Sequence, residues 1–569
     1  MSRPRTPRPS ATQRQPPSRT PARSAARTSR RHNPGVLDRG LGWARRHPWP
    51  VVLGLVALHL VFAALAFVPV LHPGGDNAVY LALARSLLDG GYRDLFDPAR
   101  PVHTQFPPGW PLMIAAGLTL GLKPWVGPKL IVVAFSAAAV ALTYFWIRRR
   151  RRPDLALGVA FLVAVSPGVV ALSHWELSDV PFWAITTAAL LAWERLPRGR
   201  NGRAALAAVL TVCAYLTRSA GLPLMLAAAV WLAFRRRWAQ LGIYLAVVAP
   251  PTAAWLLWTR AQGGYATLIA ASNAYAPDHG TVQGAGGLLD RFGENAVAYT
   301  GRFLPTLLAD AATAPVVALS VAIIALAIYG WSRRVRRPGV AELWVPLYVG
   351  MLLAWNPQWS GERLLLPLYP ALLMYAGDGV TRLGRMAPAV WRGAGRFLAP
   401  AALLLAALPG LAGAVRDGST CRAASAYGAA ACLAPAWQDF LEIAAYAGRE
   451  LPANAVVLSR KPALFYAESG LPGRTYPLTR EPAALIDTAR RAGARYLLLD
   501  NLDEVSISYL TPILIRRPAA FCVLHALGPE RAALIGIVPN AAAVPDARAD
   551  PGETEADVAF QPCGPEYRR

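Results

Sequence analysis

The feature that most constrains this chain is the regular alternation of long apolar stretches with short runs of arginine. A helix that crosses a membrane needs about 20 consecutive, mainly apolar residues. About eleven stretches approach this length, and they lie near residues 49–71, 126–147, 155–173, 180–194, 204–217, 219–234, 239–259, 310–331, 341–356, 362–380 and 397–415. We therefore predict an α-helical polytopic membrane protein with a transmembrane part over residues 48–415.

The arginine runs predict which way the spans face, because short cytoplasmic loops are enriched in Lys and Arg. Five clusters occur, namely Arg148 to Arg152; Arg195, Arg198, Arg200 and Arg203; Arg235 to Arg237; Arg333, Arg334, Arg336 and Arg337; and Arg382, Arg385, Arg392 and Arg396. Successive clusters lie two predicted spans apart, so all five can share the cytoplasmic side with the N-terminus. The C-terminus is then extracytoplasmic, and the expected location is the bacterial inner (cell) membrane.

One apolar segment does not fit this count. Residues 110–122 are too short for a regular span, and counting them as a crossing would move the five-arginine run to the outside. We therefore interpret the segment as an interfacial or re-entrant helix within the first external loop, residues 72–125.

Composition agrees with a membrane protein and argues against a nucleic-acid-binding one. Hydrophobic residues make up 54% of the chain and charged residues 16%, whereas a soluble domain carries about 25% charged residues. The formal net charge is +25, but the arginines fall between apolar stretches and no nucleic-acid recognition motif accompanies them. Residues 1–47 hold twelve arginines and almost nothing to bury, so we predict a disordered cytoplasmic tail and no cleavable signal peptide.

Residues 416–539 are predicted to form a small extracytoplasmic α/β domain, followed by a disordered tail over 540–569. Helical periodicity at 436–450 and 481–493 alternates with short apolar runs, which indicates a partly parallel sheet packed by helices. These strand-like runs are 455–458, 496–499, 521–527 and 533–538. In an oxidising compartment the pairs Cys421–Cys432 and Cys522–Cys563 are both conceivable disulfides, although spacing alone does not fix connectivity.

Several polar residues stand at the predicted external ends of the spans. Asp76 and Asn77 follow the first span directly, and His103 lies further along the same loop. An Asp before a helix is often only an N-cap, so capping is the alternative interpretation of Asp76. Glu176 and Asp179 occupy the second external turn, and capping is again the alternative for Asp179.

Two arginines interrupt apolar sequence on the same predicted side. Arg218 lies in a break between two apolar stretches, where a charged residue is costly and usually has a function or a partner. Arg363 follows Glu362 at the start of another stretch, and a local ion pair between them is the alternative interpretation. The sequence contains no HExxH, zinc-spaced Cys/His, GxxxxGK[ST] or GxSxG motif, so soluble-type ATPase and hydrolase chemistry are poorly supported.

The order of these features resembles the GT-C glycosyltransferases over residues 49–415. The resemblance is carried by the acidic residue after span one, the amphipathic external helix, and four short motifs in sequence: Pro107-Pro108-Gly109, Ser178-Asp179-Val180-Pro181, Thr217-Arg218 and the RLLLPLYP segment 363–370. The similarity is greatest to the group of protein O-mannosyltransferases (family 39) and lipid A aminoarabinose transferases. The segment 459–466 (SRKPALFY) is similar to the extracytoplasmic domain of bacterial members.

The resemblance implies a hexosyl or pentosyl transferase that moves a sugar from a polyprenyl-phosphate donor to an acceptor on the extracytoplasmic face. By position, Asp76 matches the catalytic carboxylate, and Arg363, Arg218 and His103 match cations that meet the donor phosphate. Further candidates for acceptor binding or support are Asn77, Glu176, Asp179 and Glu362. Many relatives have a second acidic residue where this chain has Asn77, so dependence on a divalent metal stays open and no cofactor is assigned. The expected partners are the bilayer, the lipid-linked donor and an envelope acceptor that is a protein, a lipid or a glycan.

Two other functions compete with glycosyl transfer. A transporter or flippase for a lipid-linked substrate would have charged residues near mid-bilayer and matching broken helices in its two halves. Here the halves show no matching breaks, and the charges gather at one face. A non-catalytic scaffold that binds cell-wall material through its external domain is the third possibility.

Overall fold

The computed structural model describes residues 36–260, 284–386, 395–425, 430–528, 531–546 and 560–569. The chain divides into two compact units, residues 1–46 and residues 47–569. In the first unit the described part is helix α1 (Val36–Arg46). The predicted disordered tail 1–47 is thus helical in its last part, and residues 1–35 lie outside the described residues.

The second unit begins with a long helical region. Its helices are α2 (Pro48–Leu65), α3 (Asp76–Leu88), α4 (Gly109–Thr119), α5 (Val126–Arg150), α6 (Pro153–Ala164), α7 (Pro167–Leu172), α8 (Asp179–Trp193), α9 (Asn201–Thr217), α10 (Leu222–Phe234), α11 (Trp238–Arg260), α12 (Gly284–Ala298), α13 (Leu304–Ala309), α14 (Ala314–Ser332), α15 (Val340–Ala354), α16 (Tyr369–Met386) and α17 (Gly395–Ala424). Each predicted apolar stretch coincides with one of these helices or with a consecutive pair.

Proline explains most differences between predicted spans and observed helices. The stretch 155–173 is divided between α6 and α7 at Pro167, because proline lacks a backbone N–H and clashes with the preceding turn. The stretch 362–380 begins with a 3-10 turn, Glu362–Leu365, and α16 starts only at Tyr369, beyond Pro367. Among the described residues five helices are long and apolar enough to cross a membrane, namely Pro48–Leu65, Val126–Arg150, Trp238–Arg260, Ala314–Ser332 and Pro400–Ala424. The count of about eleven spans stays a prediction.

Helices α3 and α4 fill the predicted first external loop. Helix α4 covers most of the short apolar segment 110–122, and its Trp110 is fully buried. Gly109 begins α4 against the end of α9, where an added Cβ would lie 2.6 Å from the carbonyl oxygen of Leu216. Only glycine allows that approach, so the Pro107-Pro108-Gly109 segment packs α4 tightly beside Arg218.

The C-terminal part contains the predicted small, partly parallel sheet. Its elements are α18 (Pro435–Glu450), β1 (Val457–Leu458), α19 (Pro462–Ser469), β2 (Gly473–Arg474), α20 (Pro482–Ala492), β3 (Tyr496–Leu499), α21 (Glu504–Arg516), β4 (Phe521–Ala526) and β5 (Ala533–Ile537). The strand order is β2-β1-β3-β5-β4; the first three strands are parallel, whereas β5 runs antiparallel to β3 and to β4. Four of the five strands lie where the sequence predicts them, while β2, α19 and α21 were not predicted.

The sheet region contacts the predicted first external loop, within the same compact unit. Arg474 in β2 donates from Nε and Nη2 to the two carboxylate oxygens of Asp97, at 2.9 and 2.8 Å. Next to this pair, the backbone N–H of Gly473 donates to the carbonyl oxygen of Phe96 at 2.7 Å. Such a bidentate charge-assisted contact fixes orientation as well as distance.

Both conceivable cysteine pairs are disulfides, each with a Cα–Cα distance of 4.9 Å, and Cys213 is free. The Cys522–Cys563 bond ties the end of the chain to β4, and Tyr567 is buried beside it. The tail predicted as disordered over 540–569 is therefore ordered over 560–569, because a covalent link and a buried aromatic ring offset the entropy lost on ordering. Residues 540–546 of the same tail are also described, and they include the 3-10 turn Ala541–Ala543. Residues 547–559 lie outside the described residues.

Candidate functional site

Asp76 is the first residue of α3 and follows a turn that requires glycine. Gly75 is the N-cap of α3 with φ of +107°, a conformation that residues with a Cβ rarely adopt. The capping alternative for Asp76 therefore does not hold, because Gly75 already occupies the cap position. The Asp76 carboxylate is 42% exposed, and its Oδ2 lies 3.4 Å from Nη1 of Arg363.

Arg363 comes from the 3-10 turn Glu362–Leu365, far from Asp76 in sequence. Among the described residues its ion pair is with Asp76, so the local pair with Glu362 considered from the sequence is not formed. The guanidinium also interacts electrostatically with Asp179 and Arg218. Arg363 therefore interacts with residues of both the predicted first external loop and the predicted second external turn.

Asp179 and Arg218 form the second pair of the site. Asp179 is the first residue of α8, is 3% exposed, and has Oδ2 at 3.0 Å from Nη1 of Arg218. Arg218 has extended backbone angles that end α9, and it also donates to Oγ of Ser178 at 3.0 Å. The hydroxyl of Tyr80 lies 3.0 Å from the same Ser178 Oγ, and burial raises the pKa of Tyr80 well above its usual range. We call Asp76, Asp179, Arg218 and Arg363 the candidate site.

A buried ion pair supports the turn that carries Asp179. Lys129 Nζ lies 3.2 Å from Oε1 of Glu176, and both side chains are at most 2% exposed. Lys129 also donates to the carbonyl oxygen of His174 at 3.0 Å, and the backbone N–H of His72 donates to Oε2 of Glu176 at 3.2 Å. Burial raises the pKa of Glu176, while the charge of Lys129 opposes that rise. Burial, with the charges of Lys129 and Arg363, lowers the pKa of His72 to about 3, so this imidazole is neutral at physiological pH.

Asn77 and His103 have local structural contacts. Asn77 donates to the carbonyl oxygen of His72 at 3.0 Å and accepts from the N–H of Gly75 at 3.3 Å, which holds the turn before α3. His103 contacts Asp94 through Nδ1 at 2.7 Å and accepts from the N–H of Phe106 at Nε2. Both ring nitrogens are thus engaged within the same loop, and the ring stacks on Phe106, which in turn contacts Tyr80, so the structure does not bring His103 into contact with the candidate site.

Lys461 is a residue near the site that sequence reasoning missed. It follows β1 and precedes α19, and a Cβ added to Gly75 would lie 3.2 Å from its Cδ and 4.0 Å from its Nζ. Burial and the neighbouring Arg460 lower the pKa of Lys461, whereas the charge of Asp76 opposes that change. The sequence signal that could have pointed to Lys461 is the rarity of lysine. The chain has only three lysines, and the other two lie in or near the predicted transmembrane part.

The side chains around the candidate site favour binding of an anion. Arg218, Arg363 and Lys461 supply three cations against the carboxylates of Asp76 and Asp179. Arginine forms bidentate, charge-assisted hydrogen bonds with phosphate oxygens. A partly exposed carboxylate beside such cations can accept a proton from a substrate hydroxyl. In the described part of the chain, no group of three or more His, Cys, Asp or Glu side chains is placed to hold a metal ion.

Solved structures of two membrane proteins share this architecture. ArnT from Cupriavidus metallidurans bound to undecaprenyl phosphate aligns with a TM-score of 0.52 and 15% identity, over 87% of this chain and 99% of that one. The Archaeoglobus fulgidus oligosaccharyltransferase tethered with an acceptor peptide aligns with a TM-score of 0.51 and 11% identity, over 89% of this chain and 75% of that one.

A third structure holds a lipid carrier and a peptide together. It is the archaeal oligosaccharyltransferase AglB from Archaeoglobus fulgidus in complex with an inhibitory peptide and a dolichol-phosphate, with a TM-score of 0.51, 12% identity, and coverage of 80% of this chain and 70% of that one. No protein-family model and no curated protein sequence matches the chain. The likeness is therefore one of fold: this chain shares the fold of ArnT and of the oligosaccharyltransferase AglB, in agreement with the resemblance to the GT-C glycosyltransferases seen in the sequence.

Proposed function

We propose that the protein is a membrane glycosyltransferase that moves a sugar from a polyprenyl-phosphate donor to an acceptor hydroxyl on the extracytoplasmic face. The observation that carries this proposal is the contact between Asp76 and Arg363, a proton acceptor beside a phosphate-binding cation. Both residues lie at or just before helix starts, where a lipid phosphate at the membrane surface would meet them. The fold shared with ArnT and AglB adds support.

The donor follows from the chemistry of the site and from what the similar proteins hold. The compared ArnT structure contains undecaprenyl phosphate, and an AglB structure contains a dolichol-phosphate. A polyprenyl tail must remain in hydrocarbon while its phosphate stays at the interface, so cations at helix ends suit it. In our proposal Arg363, Arg218 and Lys461 bind the donor phosphate, and Arg363 exchanges its contact with Asp76 for the arriving phosphate oxygens.

The reaction is a single displacement. The acceptor oxygen attacks C1 of the sugar while Asp76 takes the hydroxyl proton, and the bond between C1 and the phosphate oxygen breaks with its electron pair on that oxygen. The configuration at C1 is inverted. Phosphate is a good leaving group, so the cations need only stabilise its charge, whereas positioned proton transfer to Asp76 contributes about 10²–10⁴-fold. Asp179 acts as a positioning residue that holds Arg218.

The direct test is sugar transfer by the purified protein. The donors are radiolabelled hexosyl and pentosyl polyprenyl phosphates, offered one at a time with envelope extracts as the acceptor. We expect one donor to label an envelope component, and mass spectrometry of that product identifies the acceptor. Movement of intact donor across proteoliposomes without any labelled product would instead establish a flippase, and binding of envelope material without turnover would establish a scaffold.

The orientation of the proposed enzyme is tested with reporter fusions. From the five arginine clusters, we predict that fusions after residues 150, 200, 236 and 335 report cytoplasm. Fusions after residues 100, 285 and 430 are predicted to report the external side. An external signal at residue 150 would contradict the arrangement of about eleven spans and make segment 110–122 a crossing.

A further inference from the structure

A second charged region lies at the far ends of α8, which carries Asp179 of the candidate site, and of α5, which carries Lys129. Helix α5 holds Lys129 near its start and Arg150 at its end, roughly 32 Å apart at 1.5 Å per residue. Helix α8 likewise begins at Asp179 and ends beside Glu194 and Arg195. This opposite end of the bundle contains a cavity of about 290 Å³ that is open to solvent.

Seven arginines line this cavity, against two glutamates. They are Arg149 to Arg151, Arg195, Arg235, Arg334 and Arg337. They come from the ends of α5, α8, α10 and α14, which are far apart in sequence. We call this set of arginines the arginine pocket.

The acidic residues nearby are already neutralised by the inner arginines. Arg150 contacts both Glu194 and Glu342, and Asp378 lies 2.7 Å from Nε of Arg151 and 3.4 Å from Nη2 of Arg334. The four outer arginines have no carboxylate within ion-pair distance among the described residues; these are Arg149, Arg195, Arg235 and Arg337. The pocket therefore keeps an excess of positive charge, supplied by the four exposed outer arginines.

Two further observations distinguish the pocket from an ordinary basic surface. The side chains of Arg150 and Arg151 are 6% and 5% exposed, yet Arg150 Nε and Arg151 Nη2 have no hydrogen-bond partner among the described residues. A buried donor without a partner is costly, so such a donor suggests a ligand that the protein is built to hold. In addition, Gly339, Val340 and Ala341 line the cavity, and they form the N-terminus of α15, whose dipole favours an anion.

We propose that the arginine pocket binds a phosphate-bearing anion, separate from the donor phosphate at the candidate site. The planar guanidinium groups match phosphate oxygens in bidentate geometry. The cavity volume is close to the lower end of the range for ligand pockets, about 300–1,000 Å³. Both a phospholipid headgroup and a soluble phosphate or pyrophosphate carry this chemistry, and basic pockets between helices on the cytoplasmic side bind anionic headgroups in other membrane proteins.

The experiment uses the purified full-length chain and two double variants that remove equal charge from the same two loops. Arg235→Gln/Arg337→Gln removes two lining arginines that leave no carboxylate unpaired. Arg236→Gln/Arg336→Gln removes their immediate neighbours, which do not line the cavity. Pyrophosphate binding is measured by calorimetry in phospholipid-free micelles. Retention of phosphatidylglycerol against phosphatidylcholine is measured by mass spectrometry of protein from nanodiscs.

We expect the wild type to bind one of the two probes. Arg235→Gln/Arg337→Gln should weaken that binding about tenfold or more, whereas Arg236→Gln/Arg336→Gln should bind within about twofold of wild type. Arg235→Lys/Arg337→Lys should have an affinity between these two, because lysine keeps the charge but cannot form the bidentate hydrogen bonds of the guanidinium group. Selective phosphatidylglycerol retention that pyrophosphate does not displace identifies a headgroup, and pyrophosphate binding in micelles identifies a soluble ligand. The proposal is overturned if the wild type binds neither probe, or if both double variants change binding equally.

Discussion

The two charged regions of the helical bundle share helix α8 but differ in the balance of their charges. At one end, Asp76 and Asp179 face Arg363 and Arg218 in nearly balanced pairs. At the other end, seven arginines converge on a cavity lined by two glutamates. In both places the charged side chains stand at or next to helix ends.

The difference shows what each end can do. A carboxylate beside a cation can release that cation to a phosphate and then accept a proton, as the proposed sugar transfer requires of Asp76. An excess of arginine without matching carboxylates can only attract an anion. The balance of charges therefore distinguishes the candidate site, where a reaction is proposed, from the arginine pocket, where only binding is proposed. In the sequence both regions consist of charged residues at the ends of apolar stretches.

The largest expected effect comes from removing a cation of the candidate site. Arg363→Ala should lower transfer at subsaturating donor about 100-fold, because the variant can no longer make a desolvated charge-assisted bond to phosphate. Arg363→Lys should recover only part of this activity, since lysine cannot make the bidentate contact. The matched control is Arg336→Ala, an exposed arginine at the opposite end that belongs to neither charged region, and it should transfer normally. Donor affinity equal to wild type in purified Arg363→Ala would remove the phosphate assignment.

A smaller effect is expected at Lys461, the residue of the sheet region that lies next to the candidate site. Lys461→Met should raise the KM for the donor about tenfold with a lesser change in kcat, because one charge-assisted bond to phosphate is removed. Burial and Arg460 lower the pKa of Lys461, so its charge is lost earlier than usual as pH rises. The wild type should therefore lose donor affinity on the alkaline side, and Lys461→Met should lack that limb of the KM–pH profile.

Lys461→Arg serves as the control for charge, and it should retain most of the donor affinity. If the KM–pH profiles of wild type and Lys461→Met coincide, Lys461 is only a packing residue against Gly75. That result would mean that the donor-binding residues of the candidate site all belong to the helical region.

The smallest effect concerns the sheet edge behind Lys461. Burial raises the pKa of Asp500 to about 6, from an ordinary value of 3.8. Because the pKa of Asp500 is higher in the folded protein than in the unfolded one, the protonated carboxyl group contributes to the free energy of unfolding. This contribution is complete below about pH 4 and is lost as pH rises through about 6. Asp500→Asn removes the buried charge, so the variant should melt about 2–4 °C higher than wild type at pH 8 and about equally at pH 4. Equal melting temperatures at pH 8 would show that Asp500 carries no such penalty.

Much of the fold could be predicted from the sequence because apolar periodicity is local. Helices occur at every predicted apolar stretch, and four strands of the sheet lie where short apolar runs predict them. Proline set the errors at α7 and α16, and β2 is too short to produce a pattern of its own. The order of the tail over 560–569 was missed because it depends on a disulfide and one buried tyrosine.

The candidate site was only half predictable. Asp76, Arg218 and Arg363 could be chosen singly, because charges at the ends of apolar stretches are conspicuous. Their partners could not, since Asp76 and Arg363 are 287 residues apart and meet only through the packing of the bundle. His103 was assigned to the donor phosphate by resemblance, but the local fold of its loop engages both ring nitrogens.

The arginine pocket was likewise visible in the sequence only as its separate parts. The clusters around Arg150, Arg195, Arg235 and Arg334 were used as markers of orientation. Sequence shows each cluster at the end of its own helix, and nothing in it indicates that four of these ends surround one cavity.

The central claim, that Asp76 is the base in sugar transfer, is tested most directly by turnover and melting temperature measured on the same purified Asp76→Asn protein. Asparagine keeps the size of the side chain but cannot take the acceptor proton. The ion pair with Arg363, which this substitution removes, is long and partly exposed, so it contributes little stability. We predict that turnover falls about 100-fold or more while the melting temperature stays within about 2 °C of wild type. Near-normal transfer by a well-folded Asp76→Asn protein would contradict the claim and leave Asp179 or Glu176 as the carboxylate to test next.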